Sequence, residues 1–271
     1  MKIIRVFPSR TKATPVDSLS FVGEPPKGKI PDVDEVHIST IFTYDIPEAE
    51  RLATLWQRIA PVKIGGPAFE ERGGNFERGM YVKTGYTITS RGCPNRCWFC
   101  SVWKREGQKA RELPIVHGWN VLDDNLLACS ESHIRAVFKM LEQETNPVQF
   151  TGGFEAALLK PWHVDLLVDL KPAQMFFAYD SPKKYEPLVA ASKLLTEAGF
   201  TRTTLRAFVL MGYKGDTQIK AESRCRAVAK LGFFPMAMLY RDKNGLRDKS
   251  WARFQRLWAR PASIAAMLKA S

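Results

Sequence analysis

No stretch of the 271 residues approaches eighteen consecutive apolar positions, so the sequence offers no helix able to span a bilayer. The opening Met1-Lys2-Ile3-Ile4-Arg5-Val6-Phe7-Pro8 lacks the length and the small-residue cleavage site of a signal peptide, and a cytoplasmic protein is expected. Cysteine is scarce. Cys93, Cys97, Cys100, Cys129 and Cys225 are odd in number, with three crowded into one short segment, which does not fit a disulfide framework. Histidine is scarcer still, and none of His37, His117, His133 and His163 sits at zinc-finger spacing. Glycine (18) and proline (17) are at ordinary levels, and 45% apolar with 25% charged residues excludes collagen, low complexity and wholesale disorder. Acidic residues are short: 28 against 40 lysines and arginines, for a net charge of +12. That balance implies an anionic partner, nucleic acid first among them, or a solvated basic surface. It is uneven, with eight Lys/Arg and two Asp/Glu in residues 241–271.

What is present is a cysteine motif. Cys93-Pro94-Asn95-Arg96-Cys97-Trp98-Phe99-Cys100 reads C-x3-C-x2-C, and three thiols this close suit a soft metal. A closed zinc site wants a fourth ligand, which would have to come from Cys129, Cys225 or one of the histidines. A [4Fe–4S] cluster held by three local thiolates keeps one iron open to a substrate or cofactor. Cys129 and Cys225 fall in helical contexts and read as core thiols.

The chain divides in three. Residues 1–80 carry a strand at Lys2–Phe7, a Pro/Gly/Ser-rich loop over 8–34, and a βαβ unit. That unit runs from a strand at Glu35–Phe42 through a helix opened by Pro47 to a strand at Val62–Ile64, with a polar linker beyond it. Residues 81–240 alternate strand and helix signals. Strands are predicted at 85–90, before 125, and at 148–151, 175–179, 205–211 and 234–240, and helices at 131–144, 164–170, 187–198 and 221–231. Six β/α repeats argue for an α/β fold with a parallel sheet curled into a partial barrel. Chemistry is then expected at the carboxyl ends of the strands. Asp123-Asp124-Asn125 ends the second strand, positioned to face the mouth or cap the next helix. The basic tail, 241–271, spaces Trp251, Phe254 and Trp258 among arginines. That pattern suits either base stacking or a buried helix face.

Cys93-x3-Cys97-x2-Cys100, with aromatic Phe99 before the last cysteine, resembles the signature of radical S-adenosylmethionine enzymes. The resemblance covers about residues 81–240 and implies a (β/α)6 partial TIM barrel. It also implies a [4Fe–4S] cluster on the three cysteines, S-adenosyl-L-methionine on the open iron, and a 5′-deoxyadenosyl radical that takes hydrogen from a substrate. It implies further cofactor-binding positions. Gly152-Gly153-Phe154-Glu155 resembles the Gly-Gly-Glu element that binds the methionine amino group, with Phe154 inserted. Asp180 stands where ribose is bound, and Arg206 where the carboxylate is paired. Gly212 and Met238 stand beside adenine. Arg91, Arg96 and Lys104 flank the cysteine loop, where they would favour its thiolates or dock an acidic electron donor such as a flavodoxin or ferredoxin. The Ile64-Gly65-Gly66-Pro67 turn resembles the end of a cobalamin-binding domain, reduced here and without the Asp-x-His-x-x-Gly motif that supplies a cobalt ligand. Too few cysteines remain for a second cluster, which excludes methylthiotransferases. The substrate is open, with nucleic acid or a nucleotide leading from charge alone. The alternative is a non-enzymatic iron–sulfur or zinc protein that binds nucleic acid.

Overall fold

A computed structural model describes residues 1–242, 244–245 and 248–269. Of the basic tail, Lys243 and Arg247 lie outside the described residues. The first sheet comprises β1 (Ile3–Phe7), β2 (Ser20–Val22), β3 (Glu35–Ser39) and β4 (Val62–Gly65), all parallel in the order β2-β1-β3-β4. Helix α1 (Ile46–Trp56) connects β3 to β4. Pro47 lies in its first turn, where a missing N–H costs nothing. Its Ala49, Leu52 and Trp56 meet Ile4, Val6, Val36 and Ile38, all buried. The expected loop over 8–34 thus hides a strand. β2 is three half-buried residues at a sheet edge, too short to show a period.

The second sheet takes its strands in chain order. Pairing runs β5 (Tyr86–Thr87), β8 (Asn120–Val121), β9 (Gln149–Phe150), β10 (Gln174–Tyr179), β11 (Leu205–Met211) and β12 (Phe234–Leu239), every neighbour parallel. The protein is therefore α/β with parallel sheets. Between β5 and β8 no full crossover helix forms. A two-stranded antiparallel ribbon of β6 (Ser90–Arg91) and β7 (Arg111–Glu112) brackets the cysteine loop and one turn of helix, α2 (Val102–Arg105). The later connections carry α3 (Glu131–Leu141), α4 (Pro161–Leu170), α5 (Tyr185–Glu197) and α6 (Gln218–Lys230), and α7 (Lys249–Leu257) and α8 (Pro261–Lys269) follow β12.

Strands β10 and β11 read as near-continuous apolar runs because both faces are covered. Met175, Phe177, Leu205, Ala207 and Val209 face the helices, beside Leu188, Leu195 and Phe233. On the opposite face Phe176 stacks on Phe208 at 4.8 Å. Each fully buried side chain of this size contributes about 1.5–3 kcal/mol. The tail resolves in favour of packing: Phe254 and Trp258 are buried, Trp251 packs against the same core, and the Trp258 carbonyl accepts from Ala237 N at 2.9 Å. Asp248 caps α7, accepting from Trp251 N at 2.9 Å. Among the described residues no helix is long and apolar enough to cross a membrane.

Candidate site at the cysteine loop

The loop Cys93–Cys100 leaves the first strand of the larger sheet and is tied at both ends. Gly92, at φ 94°, donates to Asp124 Oδ2 at 2.8 Å, and a Cβ there would collide with the Lys109 carbonyl oxygen. Cys93 N reaches Gly107 O at 3.2 Å, Cys100 N reaches Cys97 O at 3.1 Å, and Trp103 Nε1 donates to Cys97 O at 3.1 Å. Below it, Asp123 is 2% exposed and accepts from Thr89 N and Thr89 Oγ1, both at 2.6 Å, and from Ser90 Oγ at 2.7 Å. Burial pushes the Asp123 carboxyl up, opposed by those donors. Buried Asn125 donates to Cys93 Sγ at 3.5 Å, and its Oδ1 has no partner. Asp123, Asp124 and Asn125 therefore hold the first strand and its loop in place, rather than capping the next helix.

Cys93, Cys97 and Cys100 are half-buried. Burial pushes the Cys97 thiol up, opposed by Lys184, and burial likewise raises Cys100. Cys225 is buried in α6, and Cys129 lies beside Ser90. Burial pushes both up to about 12, so both stay protonated thiols.

Two further strand ends converge on the loop. Gly152 follows β9 where a Cβ would collide with the Asp123 carbonyl oxygen, so only glycine fits against β8. Phe154 turns inward, 4% exposed, against Phe150 at 4.7 Å and Phe177 at 5.7 Å, while its N donates to Phe176 O at 2.7 Å. With Phe154 absorbed by the core, Glu155 emerges at the loop. Its Oε2 accepts from Asn95 Nδ2, and its Oε1 pairs with Lys184 Nζ at 2.7 Å. Lys184 also reaches Asn95 Oδ1 at 3.4 Å. Asp180 ends β10 nearby, where burial pushes its carboxyl up to about 6, Lys184 lowers it and Glu155 raises it. Asn95, Glu155, Asp180 and Lys184 thus form one polar cluster beside Cys97. Asn95 and Lys184 were not foreseen. One lies inside the cysteine motif and the other in the turn after Asp180, and only the fold brings them together.

Past β11, Gly212 has φ 75°, and its N donates to Asp216 Oδ2 at 3.0 Å. Arg224 grips Asp216 in a fork at 3.1 and 2.7 Å and also reaches Leu210 O at 2.9 Å. A Cβ on Gly212 would sit 2.5 Å from Leu239 Cδ1 and 3.2 Å from Trp251. Phe99 holds Trp98 edge-on at 5.5 Å, and Trp98 also meets Tyr213 at 5.7 Å and Tyr240 at 5.1 Å. Met238, near the end of β12, is exposed. Arg206 is not part of this assembly. It lies near the start of β11, in register with Phe234, whose ring its guanidinium covers at 5.0 Å. Six residues of extended strand, roughly 20 Å, separate it from Gly212.

The N-terminal unit touches the same region. Glu106, its side chain 1% exposed, accepts from Gly73 N at 3.1 Å and pairs with Arg105 at 3.0 Å, Arg111 at 3.4 Å and Arg91 at 3.8 Å. Arg96 donates to Gln108 Oε1 at 2.8 Å, and Lys104 lies over Trp103 at 5.5 Å. Arg105 reaches Pro67 O at 3.3 Å, beyond the β4 turn. Gly66 in that turn, at φ 107°, admits no Cβ because Thr40 O would be 2.8 Å away. His37 is engaged on both nitrogens, with Tyr81 at 2.7 Å and Glu35 at 2.8 Å.

Among the described residues no three His, Cys, Asp or Glu side chains form a ready-made metal cage. The donor set itself is three half-buried thiols on one loop, with a buried amide already donating to one sulfur. That chemistry fits a soft, thiolate-held centre. No protein-family model matches the chain, and no curated protein matches it.

Proposed function

We propose that this chain is a radical S-adenosylmethionine enzyme and that its six-stranded sheet is the (β/α)6 partial barrel of that class. The observation that carries the reading is the meeting of Glu155 with Asn95, which joins the Gly-Gly-Phe-Glu turn after β9 to the cysteine loop after β5. Cys93, Cys97 and Cys100 would hold a [4Fe–4S] cluster and leave one iron for S-adenosyl-L-methionine. The reduced cluster would supply one electron to the sulfonium of S-adenosyl-L-methionine, the chemistry needed to cleave its S–C5′ bond into methionine and a 5′-deoxyadenosyl radical able to take hydrogen from a substrate.

The chain's own residues bind and orient. Glu155 would accept an ammonium group, as it accepts that of Lys184. Asp180, once ionised, accepts from vicinal hydroxyls. Phe99, the Gly212 turn and the backbone at Met238 form the wall for a planar base, with Gly212 held by Asp216 and Arg224. Arg206 is left a structural part, because it stands at the far end of β11. Exposed Arg96 and Lys104 on the loop suit an acidic reductant, a flavodoxin or ferredoxin, in the cytoplasm. The N-terminal sheet is a reduced relative of a cobalamin domain, its His37 committed to Glu35 and Tyr81.

The test is anaerobic reconstitution with iron and sulfide, reduction, addition of S-adenosylmethionine, and quantification of 5′-deoxyadenosine, with Cys97→Ala as control. Product that depends on Cys97 is expected. Zinc in place of a cluster, with no product, would overturn the reading in favour of a metal-stabilised nucleic-acid-binding protein.

A further inference from the structure

The carboxyl ends of the two sheets meet along one strip of rings. Trp98 is 59% exposed, although Phe99, Tyr213 and Tyr240 hold its edges. Arg241 follows Tyr240 and lies 4.8 Å over the ring of Tyr44, which belongs to the N-terminal unit. Tyr44 in turn stacks on Phe42 at 5.0 Å with planes 6° apart. Phe42, Ile41 and Met238 are each more than a third exposed. Soluble proteins seldom leave such side chains together without a partner. The neighbouring exposed cations are Arg96 and Lys214. By contrast, the tail aromatics Phe254 and Trp258 are withdrawn into the core.

We propose that this strip binds single-stranded nucleic acid, with an unpaired base stacked on Trp98. A run of rings with a guanidinium set between Tyr240 and Tyr44 matches a strand that alternates flat bases with phosphates. An apolar peptide would leave Arg241 unanswered, and a duplex hides the faces of its bases. The net charge of +12 supplies the long-range attraction. That the strand is also the substrate rests on the function proposed above. That it binds does not.

The experiment is fluorescence anisotropy on the full chain, with labelled single strands of roughly 12 nucleotides, as DNA and as RNA of one sequence. Salt-dependent binding to at least one strand is expected. Trp98→Ala should weaken it about fivefold or more without changing the salt slope, and Trp98→Phe should retain most of it. Phe42→Ala, remote from the cysteine loop, should weaken it as well and covers the case in which Trp98→Ala fails to fold. Absence of binding would overturn the proposal. So would equal binding by Trp98→Ala and Phe42→Ala, or equal competition by duplex or by adenosine monophosphate. Failure of the radical reading is read separately, from 5′-deoxyadenosine formation by the wild-type protein.

Discussion

Replacing Asp180 by asparagine should stabilise the metal-free protein at neutral pH. Burial lifts this carboxyl from an ordinary 3.8 to about 6, and Lys184 offsets the lift only in part. In the unfolded chain the group returns to its ordinary range. Between those two values the folded protein holds a proton that the unfolded chain releases. Stability therefore falls as pH rises through that window and stays reduced above it. A gap of about two pH units corresponds to a ceiling of ~3 kcal/mol. Partial exposure and relaxation reduce this to ~1–2 kcal/mol. Asparagine keeps the shape and never ionises, so it escapes the penalty. At ~2–4 °C per kcal/mol for a chain of this size, Asp180→Asn should melt ~2–8 °C higher at pH 7.5. The advantage should shrink below pH 6 and vanish near pH 3, where aspartate is protonated in both states. Circular dichroism melts across that range, on reduced metal-free protein, measure it. A variant no more stable than wild type at pH 7.5, or an advantage independent of pH, would refute the reasoning. A stabilising loss of this kind is expected where a charge is kept for binding rather than for folding.

Two other substitutions probe the supports of the site. Glu106→Ala leaves Arg91, Arg105 and Arg111 around a buried void of charge, and equilibrium denaturation should register a loss of about 3–5 kcal/mol. Asn125→Leu removes the hydrogen bond to Cys93 Sγ. In protein reconstituted with a full cluster, the reduction potential should fall by on the order of 40 mV, the one-electron equivalent of about 1 kcal/mol. Potentiometric titration reads this without reference to turnover, and an unchanged potential would mean that the amide only packs.

The six strands of the larger sheet and four of its helices were legible because burial marks each in its own way, with near-continuous apolar runs such as Gln174–Tyr179 in strands covered on both faces and a period of 3.6 on helices such as Glu131–Leu141. Where the period had no room the reading failed. β2 is three residues long, and the first repeat exchanges its helix for a ribbon around the cysteines. The tail, read only as a basic segment with Trp251, Phe254 and Trp258 on a candidate helix face, forms two helices, α7 and a separate α8 that opens at Pro261. At the site, the cysteines stand out by their spacing, and Glu155 and Asp180 were named from the family resemblance read onto strand ends. Arg206 came from the same resemblance, and its register with Phe234 puts it at the opposite end of β11 from Gly212. Lys184, Asn95 and the Asp216–Arg224 fork were invisible because their meaning lies in contacts across the chain. Phe42 and Tyr44 join the aromatic strip only because the end of β3 comes to rest beside Arg241.

The inward turn of Phe154 has a consequence for how such sites are found. An extra residue in a motif usually displaces whatever follows it. Here the addition is spent on the interior, and Glu155 still reaches Asn95 of the cysteine loop. On the function proposed above, a search that counts letters between the glycines and the acid would pass over this turn, although Glu155 still faces the cysteine loop. The useful pattern is one of orientation, two glycines and then the next side chain that faces outward, with any apolar residue between them left uncounted.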